Sequence, residues 1–340
     1  MKPFICVGEN IHCTRIYKTD GKFVAKTDNG FAIPYKSGGT PRQLPIPKAF
    51  VDGPEWASGR VKHCAVAIWQ CIYGDDAGKT TGKDYLASLA LAQEKSGATY
   101  LDVNVDEFST DIPERIRLID FTVRLIQKAS RLPMSIDSSN LEILRAGLSA
   151  CERERGAPML NSVSLERTAA LDLAAEFKAV VVASAAGECD LPSNTSERLS
   201  NLAKLVPQLT ARGIKTGAIH IDPLVFPIST DQTNGNGFLD AVSSVRKMYG
   251  PEVHIVAGLS NVSFGMPNRK LLNQVFTWLA IQAGADGGIV DPLQINTGIL
   301  ERLDTGSAAF KLAKDLLTGQ DEFGMNYIAA CRDGTIPAGA

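Results

Sequence analysis

The stretch HIVAGLSNVSFGMPNRKLLNQVFTWLAIQA, residues 254–283, holds one complete strand–turn–helix unit of this 340-residue chain. Residues 254–257 form a short β-rich run, and from Lys270 to Ala283 the apolar residues recur at helical spacing. Between the two, residues 258–269 place two glycines and several neutral amides and hydroxyls at the carboxyl end of the predicted strand. These residues are typical either of a turn that contacts a ligand or of a simple helix cap.

The same unit recurs along the whole chain. The predicted strands cover residues 4–7, 100–105, 134–137, 159–163, 179–185, 218–221, 254–259 and 288–290. The predicted helices cover residues 84–97, 112–130, 140–151, 165–177, 197–212, 238–249, 270–283 and 308–317. The strands read as continuous apolar runs, as buried parallel strands do. Eight such units in one α/β domain, residues 1–340, predict a TIM (β/α)8 barrel.

An open doubly wound sheet is the alternative fold. It is disfavoured because no Gly-x-Gly-x-x-Gly motif follows the first strand. Residues 13–78 interrupt the alternation between strand one and helix one, and they are rich in Gly, Pro, Lys and Thr. A connection of this length is usually functional when it is ordered. We predict a partly structured insertion on the catalytic face, where the first strand ends.

Composition excludes several classes of function. The chain is 44% hydrophobic with a net charge of -2, so there is no electrostatic reason to expect nucleic acid or an anionic membrane. No apolar run approaches the roughly 18 residues that a membrane span needs. The seven cysteines are scattered and include no Cys-x-x-Cys pair, which indicates reduced thiols in a cytoplasmic protein.

Two groups of residues were considered as metal ligands. Cys64 and Cys71 lie near His63 in sequence, but no second tight pair completes a zinc site. Oxygen ligands for magnesium are available at three strand ends: Glu9, Asp102 and Asp137. The absence of a histidine beside these carboxylates lowers the case for a metal, and we expect none.

Carboxylates and amides dominate the carboxyl ends of the predicted strands. They are Glu9, Asn10, Asp102, Asn104, Asp106, Asp137, Ser138, Asn140, Asn161, Ser162, Asp222, Ser260, Asn261 and Asp291. The nearest cations are Arg15 and Arg269. Such a ring suits a flat heterocycle rich in N–H donors, such as a pterin, better than a sugar phosphate. Individually, Asp102, Asp222 and Asp291 could instead cap helices.

With these motifs, the chain resembles the pterin-binding TIM-barrel methyltransferases, which move a methyl group between tetrahydrofolate and a corrinoid. The matching stretches are GENIH (8–12), LDVNV (101–105), IDSSN (136–140), NSVS (161–164), DPL (222–224) and GLSNVSFGMPNR (258–269). They extend from strand one to strand eight, and residues 258–269 are the most specific of them.

The resemblance implies roles for individual residues. Asp137, Asn161 and Asp222 would bind the pterin ring, and Asn261 would hydrogen-bond near N5, the nitrogen that carries or receives the methyl group. Asn261 and Asp222 are thereby the candidate catalytic residues. Further pterin-pocket residues would be Glu9, Gly258, Ser260 and Arg269, with Asp102, Asn104 and Asp291 as possible additions. In this family an Arg often replaces Asn10, and an Asn often replaces His12.

The resemblance also implies the reaction and its partners. We expect a methyltransferase that uses tetrahydrofolate or 5-methyltetrahydrofolate together with cobalamin. No Asp-x-His-x-x-Gly corrinoid signature is present, so a partner corrinoid protein would carry the cobalamin. We also expect a homodimer.

The sequence leaves three other functions open. A dihydropteroate synthase would need a lysine on strand seven and an Arg-x-His motif on strand eight, where this chain has residues 258–261, GLSN, and 290–292, VDP. A non-catalytic folate-binding subunit of a demethylase complex and a barrel enzyme of unrelated chemistry are the others.

Overall fold

The structure is a computed structural model that describes residues 4–337. Its strands are β1 (Ile5–His12), β2 (Ile16–Lys18), β3 (Ala25–Thr27), β4 (Gly30–Ser37), β5 (Thr40–Ile46), β6 (Arg60–Lys62), β7 (Tyr100–Asn104), β8 (Met134–Asp137), β9 (Met159–Val163), β10 (Val180–Ser184), β11 (Ile219–Asp222), β12 (His254–Ala257) and β13 (Gly287–Val290). Eight of them close into a parallel barrel in the order β1-β13-β12-β11-β10-β9-β8-β7. The predicted TIM barrel is confirmed.

Among the described residues, three helices lie in the insertion: α1 (Lys48–Val51), α2 (Pro54–Ala57) and α3 (His63–Tyr73). They are followed by α4 (Asp76–Lys95). The remainder are α5 (Ile112–Ala129), α6 (Leu141–Ala150), α7 (Ala169–Glu176), α8 (Thr195–Ala211), α9 (Asn234–Tyr249), α10 (Arg269–Ala283), α11 (Thr297–Glu301), α12 (Ala308–Leu317) and α13 (Met325–Arg332). All eight predicted helices are present, as α4–α10 and α12, whereas the sequence patterns did not predict α1–α3, α11 or α13. Helices α11 and α13 are short, and α1–α3 lie in the insertion, which was predicted only as partly structured.

One compact unit comprises the described residues of 1–7, 97–99 and 159–340. Its strands pair in parallel register, with Val182 opposite His220 and Ser184 opposite Asp222. Val181, Val182, Ile219 and Ile221 are fully buried, which explains the continuous apolar runs of β10 and β11. Gly287 is required where β13 passes β1, because a Cβ atom there would lie 2.1 Å from the carbonyl oxygen of Ile5.

The second compact unit comprises residues 8–96 and 100–158. Its helices begin at residues whose side chains accept backbone N–H groups. Asp75 caps α4, Asp111 caps α5, and Asn140 caps α6. Each cap satisfies donors that the first helical turn leaves unpaired. Asn140, which the sequence placed at the start of a helix, is therefore used for capping.

Within the second unit, the insertion is built from antiparallel pairs, β2 with β6 and β3 with β4 with β5, and from helices α1 to α3. Two hydrogen bonds attach the β4–β5 hairpin to α4: Tyr35 Oη and Ser37 Oγ each donate to the Asp84 carboxylate over 2.7 Å. The start of the insertion bonds to a barrel strand, since the Cys13 amide donates to the Asn104 carbonyl. The single-domain assignment stays a prediction.

Helix α3 packs on α4 at Gly82, which gives the first testable prediction. A Cβ atom at Gly82 would lie 2.6 Å from the Ala67 carbonyl oxygen and 2.9 Å from Cys71 Sγ. Gly82→Ala should therefore lower the free energy of unfolding by about 1–3 kcal/mol, as overpacking does. Gly237→Ala in α9 is the matched control, because nothing lies within 4 Å of a Cβ there. The control should be neutral or stabilising by up to about 1 kcal/mol. Equal urea denaturation midpoints for both variants would contradict the prediction.

Candidate active site

The carboxyl end of β1 carries a buried histidine–carboxylate pair. His12 is the last residue of β1, and its Nε2 lies 2.8 Å from Oδ2 of Asp102 on β7. Asp102 is fully buried and His12 is 8% exposed. A buried carboxylate needs a partner of this kind, because removing an unpaired charge from water costs several kcal/mol. The sequence patterns listed Asp102 as a possible site residue but gave His12 no role. The expectation that no histidine lies beside these carboxylates is wrong, because residues 90 positions apart meet across two strands.

A second carboxylate, Asp137 at the end of β8, lies beside this pair. Asn104 Nδ2 donates to Asp137 Oδ2 over 2.9 Å. Asp106, just beyond β7, accepts from Ser138 Oγ over 2.7 Å and from the Ser139 amide over 2.9 Å. Asp106 therefore holds the turn after β8 in place and so supports the position of Asp137.

The electrostatic environment shifts the pKa values of two members of this cluster. Burial, and next the nearby Asp102 carboxylate, raise the pKa of Asp137 to about 7, although His12 and Asn104 oppose the rise. For His12, burial alone would lower the pKa. The carboxylates of Asp102, Asp137 and Glu9 together outweigh burial, so the pKa of His12 is raised above its ordinary value.

The ligand atoms of His12, Asp102 and Asp137 all lie within 4.8 Å of one another, a spacing that a cation could use. Each group already holds a hydrogen bond, however: His12 and Asp102 bond each other, and Asn104 donates to Asp137. We therefore interpret the cluster as a hydrogen-bonded polar site. The absence of a metal stays a prediction.

Glu9 also belongs to β1, and it pairs with the first cation of the insertion. Arg15 Nη1 lies 3.1 Å from Glu9 Oε1. The insertion approaches the same strand a second time, because Cys64 Sγ of α3 donates to the Asn10 carbonyl oxygen over 3.3 Å. Residues of the insertion therefore contact the carboxyl-terminal part of β1. The proposed position of the entire insertion over the catalytic face stays a prediction.

In the first compact unit, Asp222 ends β11 and organises the turn that follows. Its Oδ1 accepts the Leu224 amide over 2.8 Å, and Leu224 adopts a positive φ of 67°. The Gly258 amide also donates to Asp222. Burial raises the pKa of Asp222 to about 6, and the two amides and the Arg198 guanidinium limit the rise. The carboxylate accepts backbone amides of the turn, so it is not the N-cap of a described helix.

Arg198 on α8 holds the same turn, and the sequence patterns missed it. Its Nε donates to the Pro223 carbonyl oxygen over 2.7 Å, its Nη2 to the Leu224 carbonyl oxygen over 3.4 Å, and it is only 2% exposed. A signal was available, because Arg198 lies in line with the buried Leu202 and Leu205 on the apolar face of its helix. A charge in such a position indicates a buried polar partner.

The stretch from Gly258 to Arg269 forms a short 3₁₀ turn, Leu259–Ser263, before α10. A Cβ atom at Gly258 would lie 3.1 Å from Nδ2 of Asn261, so Asn261 lies directly against the residue whose amide bonds to Asp222. The side chain of Asn261 caps no described helix, and Asn268 occupies the N-cap position of α10. The helix-cap interpretation of Asn261 is therefore wrong.

Arg269 stabilises this turn from within. Its Nε donates to Ser263 Oγ and its Nη2 to the Ser260 carbonyl oxygen, each over 2.9 Å. The guanidinium also lies 4.3 Å from the ring centre of Phe264. Ser260 and Arg269 thus have structural contacts, whatever else they bind.

Asn161 and Asp291 are also at strand ends. Asn161 on β9 is 8% exposed and pairs in register with Val182 of β10. Asp291 follows β13 and accepts from the Leu293 amide over 3.0 Å and from Gln294 Nε2 over 2.6 Å. Asp291 therefore shapes its own loop.

Comparison with known proteins identifies the class. A family model described as "Pterin binding enzyme" matches residues 75–291. The methylcorrinoid:tetrahydrofolate methyltransferase of Eubacterium limosum is 31% identical over 258 residues, which cover 74% of this chain and 89% of that protein. The methionine synthase of Mycobacterium leprae (strain TN) is 31% identical over 230 residues, which cover 63% of this chain and 18% of that protein.

A solved structure of dihydropteroate synthase from Xanthomonas albilineans in complex with 7,8-dihydropteroate shares the fold. It superposes with a TM-score of 0.54 at 22% identity, over 67% of this chain and 86% of that chain. The chain belongs to the pterin-binding enzyme family, because the family model matches more than half of it. It is a methyltransferase of that family. Among residues 4–337, no helix has the length and apolar character required to cross a membrane.

The contacts of Arg198 predict a large effect on stability. Arg198→Leu leaves the buried Pro223 carbonyl oxygen and the partly buried Leu224 carbonyl oxygen without this donor and should lower the free energy of unfolding by about 1–3 kcal/mol. The control is Arg212→Leu at the end of the same helix, which removes an exposed ion pair with Asp172 and a bond to the Gln208 carbonyl oxygen and should cost less than about 1 kcal/mol. Urea denaturation of both variants checks the difference. A smaller loss for Arg198→Leu would contradict the assigned role.

The pKa of Asp137 predicts how stability depends on pH. Its ordinary pKa is 3.8 and its value in the fold is about 7, so the folded state binds the proton more tightly than the unfolded chain does. The contribution of Asp137 to stability is therefore fully present below about pH 4 and is lost as the pH rises through about 7. Asp137→Asn should remove that part of the dependence, as urea denaturation between these pH values would show. If the free energy of unfolding changes with pH in parallel for wild type and Asp137→Asn, Asp137 does not cause this pH dependence.

Proposed function

We propose that this methyltransferase moves a methyl group between a methylcorrinoid, carried by a partner protein, and N5 of tetrahydrofolate. The observation that carries the proposal is the similarity to an enzyme named for that reaction, which extends over 89% of the relative's length. The residues at the strand ends are consistent with it. They offer carboxylates and amides, which match the N–H donors and ring nitrogens of a pterin.

Asp137, Asn161 and Asp222 are proposed to bind the pterin ring. Their side chains are polar, largely buried, and located at the ends of β8, β9 and β11. In the free protein, Asn104 donates to Asp137 and the Leu224 amide donates to Asp222. Each carboxylate has further acceptor capacity, so it can bind pterin N–H groups without losing these bonds. Glu9, Gly258, Ser260 and Arg269 are proposed as further lining of the pocket, and Asp102, Asn104 and Asp291 as possible additions.

Asn261 is proposed to hydrogen-bond N5. Methyl transfer is a displacement in which N5 changes charge, and a neutral tertiary amine is a poor leaving group. An amide can present either its oxygen or its N–H, so Asn261 can stabilise N5 in both protonation states. Because Asn261 lies against Gly258, whose amide bonds to Asp222, the position of the amide is coupled to the pterin-binding carboxylate.

The corrinoid is proposed to arrive on a separate protein, because the sequence has no Asp-x-His-x-x-Gly signature. Synthesis of dihydropteroate is not proposed. The shared fold supports it only at the level of architecture, and the cations that a diphosphate leaving group requires are absent from residues 258–261 and 290–292. All seven cysteines are free thiols, which supports a cytoplasmic location. The homodimer stays a prediction.

Mixing the protein with methylcobalamin and tetrahydrofolate tests the proposed reaction. Formation of cob(I)alamin, followed by its absorbance, together with stoichiometric 5-methyltetrahydrofolate, is the expected result. Binding of tetrahydrofolate in calorimetry without turnover would indicate a folate-binding subunit instead. If neither binding nor turnover is seen, the proposed function is wrong.

Substitution of Asn261 separates its role in the reaction from a role in the fold. Asn261→Ala should lower the single-turnover rate by roughly 10²–10³, the magnitude typical of losing one donor to a developing charge. Folate affinity should fall less, because the bond is strongest in the transition state. Asn268→Gly is the control: it removes another amide from the same stretch and tolerates the positive φ of 47° at that position. An unchanged rate for Asn261→Ala would remove Asn261 from the reaction.

The raised pKa of Asp222 predicts how folate affinity depends on pH. The ionised carboxylate accepts pterin N–H groups, and the pKa of Asp222 is about 6 in the free protein. Affinity should therefore fall as the pH drops below about 6, because the proton must be displaced before the pterin binds. Asp222→Ala should weaken binding by about 1–3 kcal/mol and flatten this part of the pH profile. Calorimetry between pH 5 and 8, values chosen to bracket that pKa, provides the measurement. An unchanged affinity would exclude Asp222 from the pocket.

A further inference from the structure

His12 has a titratable ring nitrogen to which the proposed reaction has assigned no role. Its Nε2 is bonded to the buried Asp102 carboxylate over 2.8 Å, which fixes the tautomer with the proton on Nε2. The other nitrogen, Nδ1, has no hydrogen bond to any residue between positions 4 and 337. A carboxylate that orients one ring nitrogen and leaves the other available is the arrangement by which histidine acts as a general base or acid.

The proposed reaction requires a proton acceptor or donor. Tetrahydrofolate carries a hydrogen on N5, and unless that proton is lost, the methylated N5 would hold both the hydrogen and the methyl group as an ammonium. Asn261 can hydrogen-bond this nitrogen but cannot take its proton, because an amide does not titrate near neutral pH. Histidine is the side chain best suited to exchange a proton in that range.

We propose, on the basis of the proposed methyl transfer, that His12 takes the proton that N5 loses on methylation and returns it in the reverse reaction. The N5 lone pair forms the new N–C bond while the Co–C bond breaks and leaves its electron pair on cobalt. Nδ1 of neutral His12 takes the proton from N5 as the N–C bond forms. The products are neutral 5-methyltetrahydrofolate and an imidazolium whose Nε2–H donates to Asp102.

The location of His12 supports this role. His12 ends β1, so it lies at the carboxyl end of a barrel strand, where active-site residues of this fold are found. It also belongs to the cluster that contains Asp137, which is proposed to hold the pterin, with the ligand atoms of the two residues within 4.8 Å.

The charges around His12 favour its protonated form. The groups that act on it are the carboxylates of Asp102 on β7, Asp137 on β8 and Glu9 on its own strand. Glu9 is partly neutralised by Arg15 of the insertion, and the Cys64 thiol of α3 lies beside the same strand. Because burial opposes the carboxylates only in part, the imidazolium that forms on methylation is stabilised where it is produced.

The sign of the pH dependence distinguishes this role from a structural one. Methylation of tetrahydrofolate needs neutral His12, so its single-turnover rate should rise as the pH increases through the pKa of His12. Demethylation of 5-methyltetrahydrofolate by cob(I)alamin needs protonated His12, so that rate should fall over the same interval. A residue that only supports the fold would not produce opposite changes in the two directions.

The test compares wild type with His12→Asn in both directions, using free methylcobalamin or cob(I)alamin between pH 5 and 9, a range that brackets the titration of histidine. The variant should react roughly 10²–10⁴ times more slowly, lose both pH-dependent changes, and bind tetrahydrofolate within about threefold of wild type. Added imidazole should restore part of the rate. His254→Asn is the matched control, because His254 lies 3.8 Å from Asp286 but at the amino end of its strand, and it should leave the pH profiles unchanged.

Each outcome decides between the two proposals. If wild type transfers no methyl group, the proposed function itself is wrong. If wild type is active and His12→Asn keeps its rate and both pH-dependent changes, only the role of His12 is wrong. Should His12→Asn fail to fold, nitrogen-15 NMR of histidine in the wild-type protein decides: a His12 ring that lacks the Nε2–H tautomer or does not titrate between pH 5 and 9 overturns the proposal.

Discussion

Closure of eight parallel strands is the constraint on which the remainder of the structure depends. Each strand satisfies its backbone N–H and C=O groups with its two neighbours, so the barrel has no free edge. Because the strands are parallel, their carboxyl ends all lie at the same end of the barrel. Side chains from distant parts of the sequence are collected there, and each polar group among them needs a partner or a ligand.

The carboxylates at these strand ends meet that requirement with local hydrogen bonds. Asp102 pairs with His12, and Asp137 accepts from Asn104. Asp222 accepts the amides of its own turn, and the buried Arg198 stabilises that turn by binding its carbonyl oxygens. The raised pKa values of Asp137, about 7, and of Asp222, about 6, show that these bonds compensate for burial only in part. At each of these carboxylates, a further N–H donor would favour the ionised form.

Much of the fold could be predicted because local signals agreed with it. Apolar β-branched runs, such as residues 254–257, alternate with amphipathic helices, such as α5. The number of these strand–helix units was enough to indicate a barrel. The start of α6 near Asn140 was predicted for the same reason, since it depends on residues within one turn, but the capping role of Asn140 was not. Predicted boundaries differed most where flanking turns were polar: α4 begins at Asp76, eight residues before the predicted start at Asp84. The short helices α11 and α13 had no periodic pattern long enough to detect.

In the candidate site, too, some features depend on local sequence and others on contacts between distant residues. The sequence by itself determined which residue types stand at the strand ends, since the order of strands and turns is a local property of the chain. Only the tertiary structure decided which of them become partners: His12 lies 90 positions from Asp102, and Arg198 lies 25 positions from the Pro223 carbonyl that it binds. It also decided that Asn261 caps no described helix and lies against Gly258. Pairing between distant residues depends on strand register and burial, which no single stretch of sequence encodes.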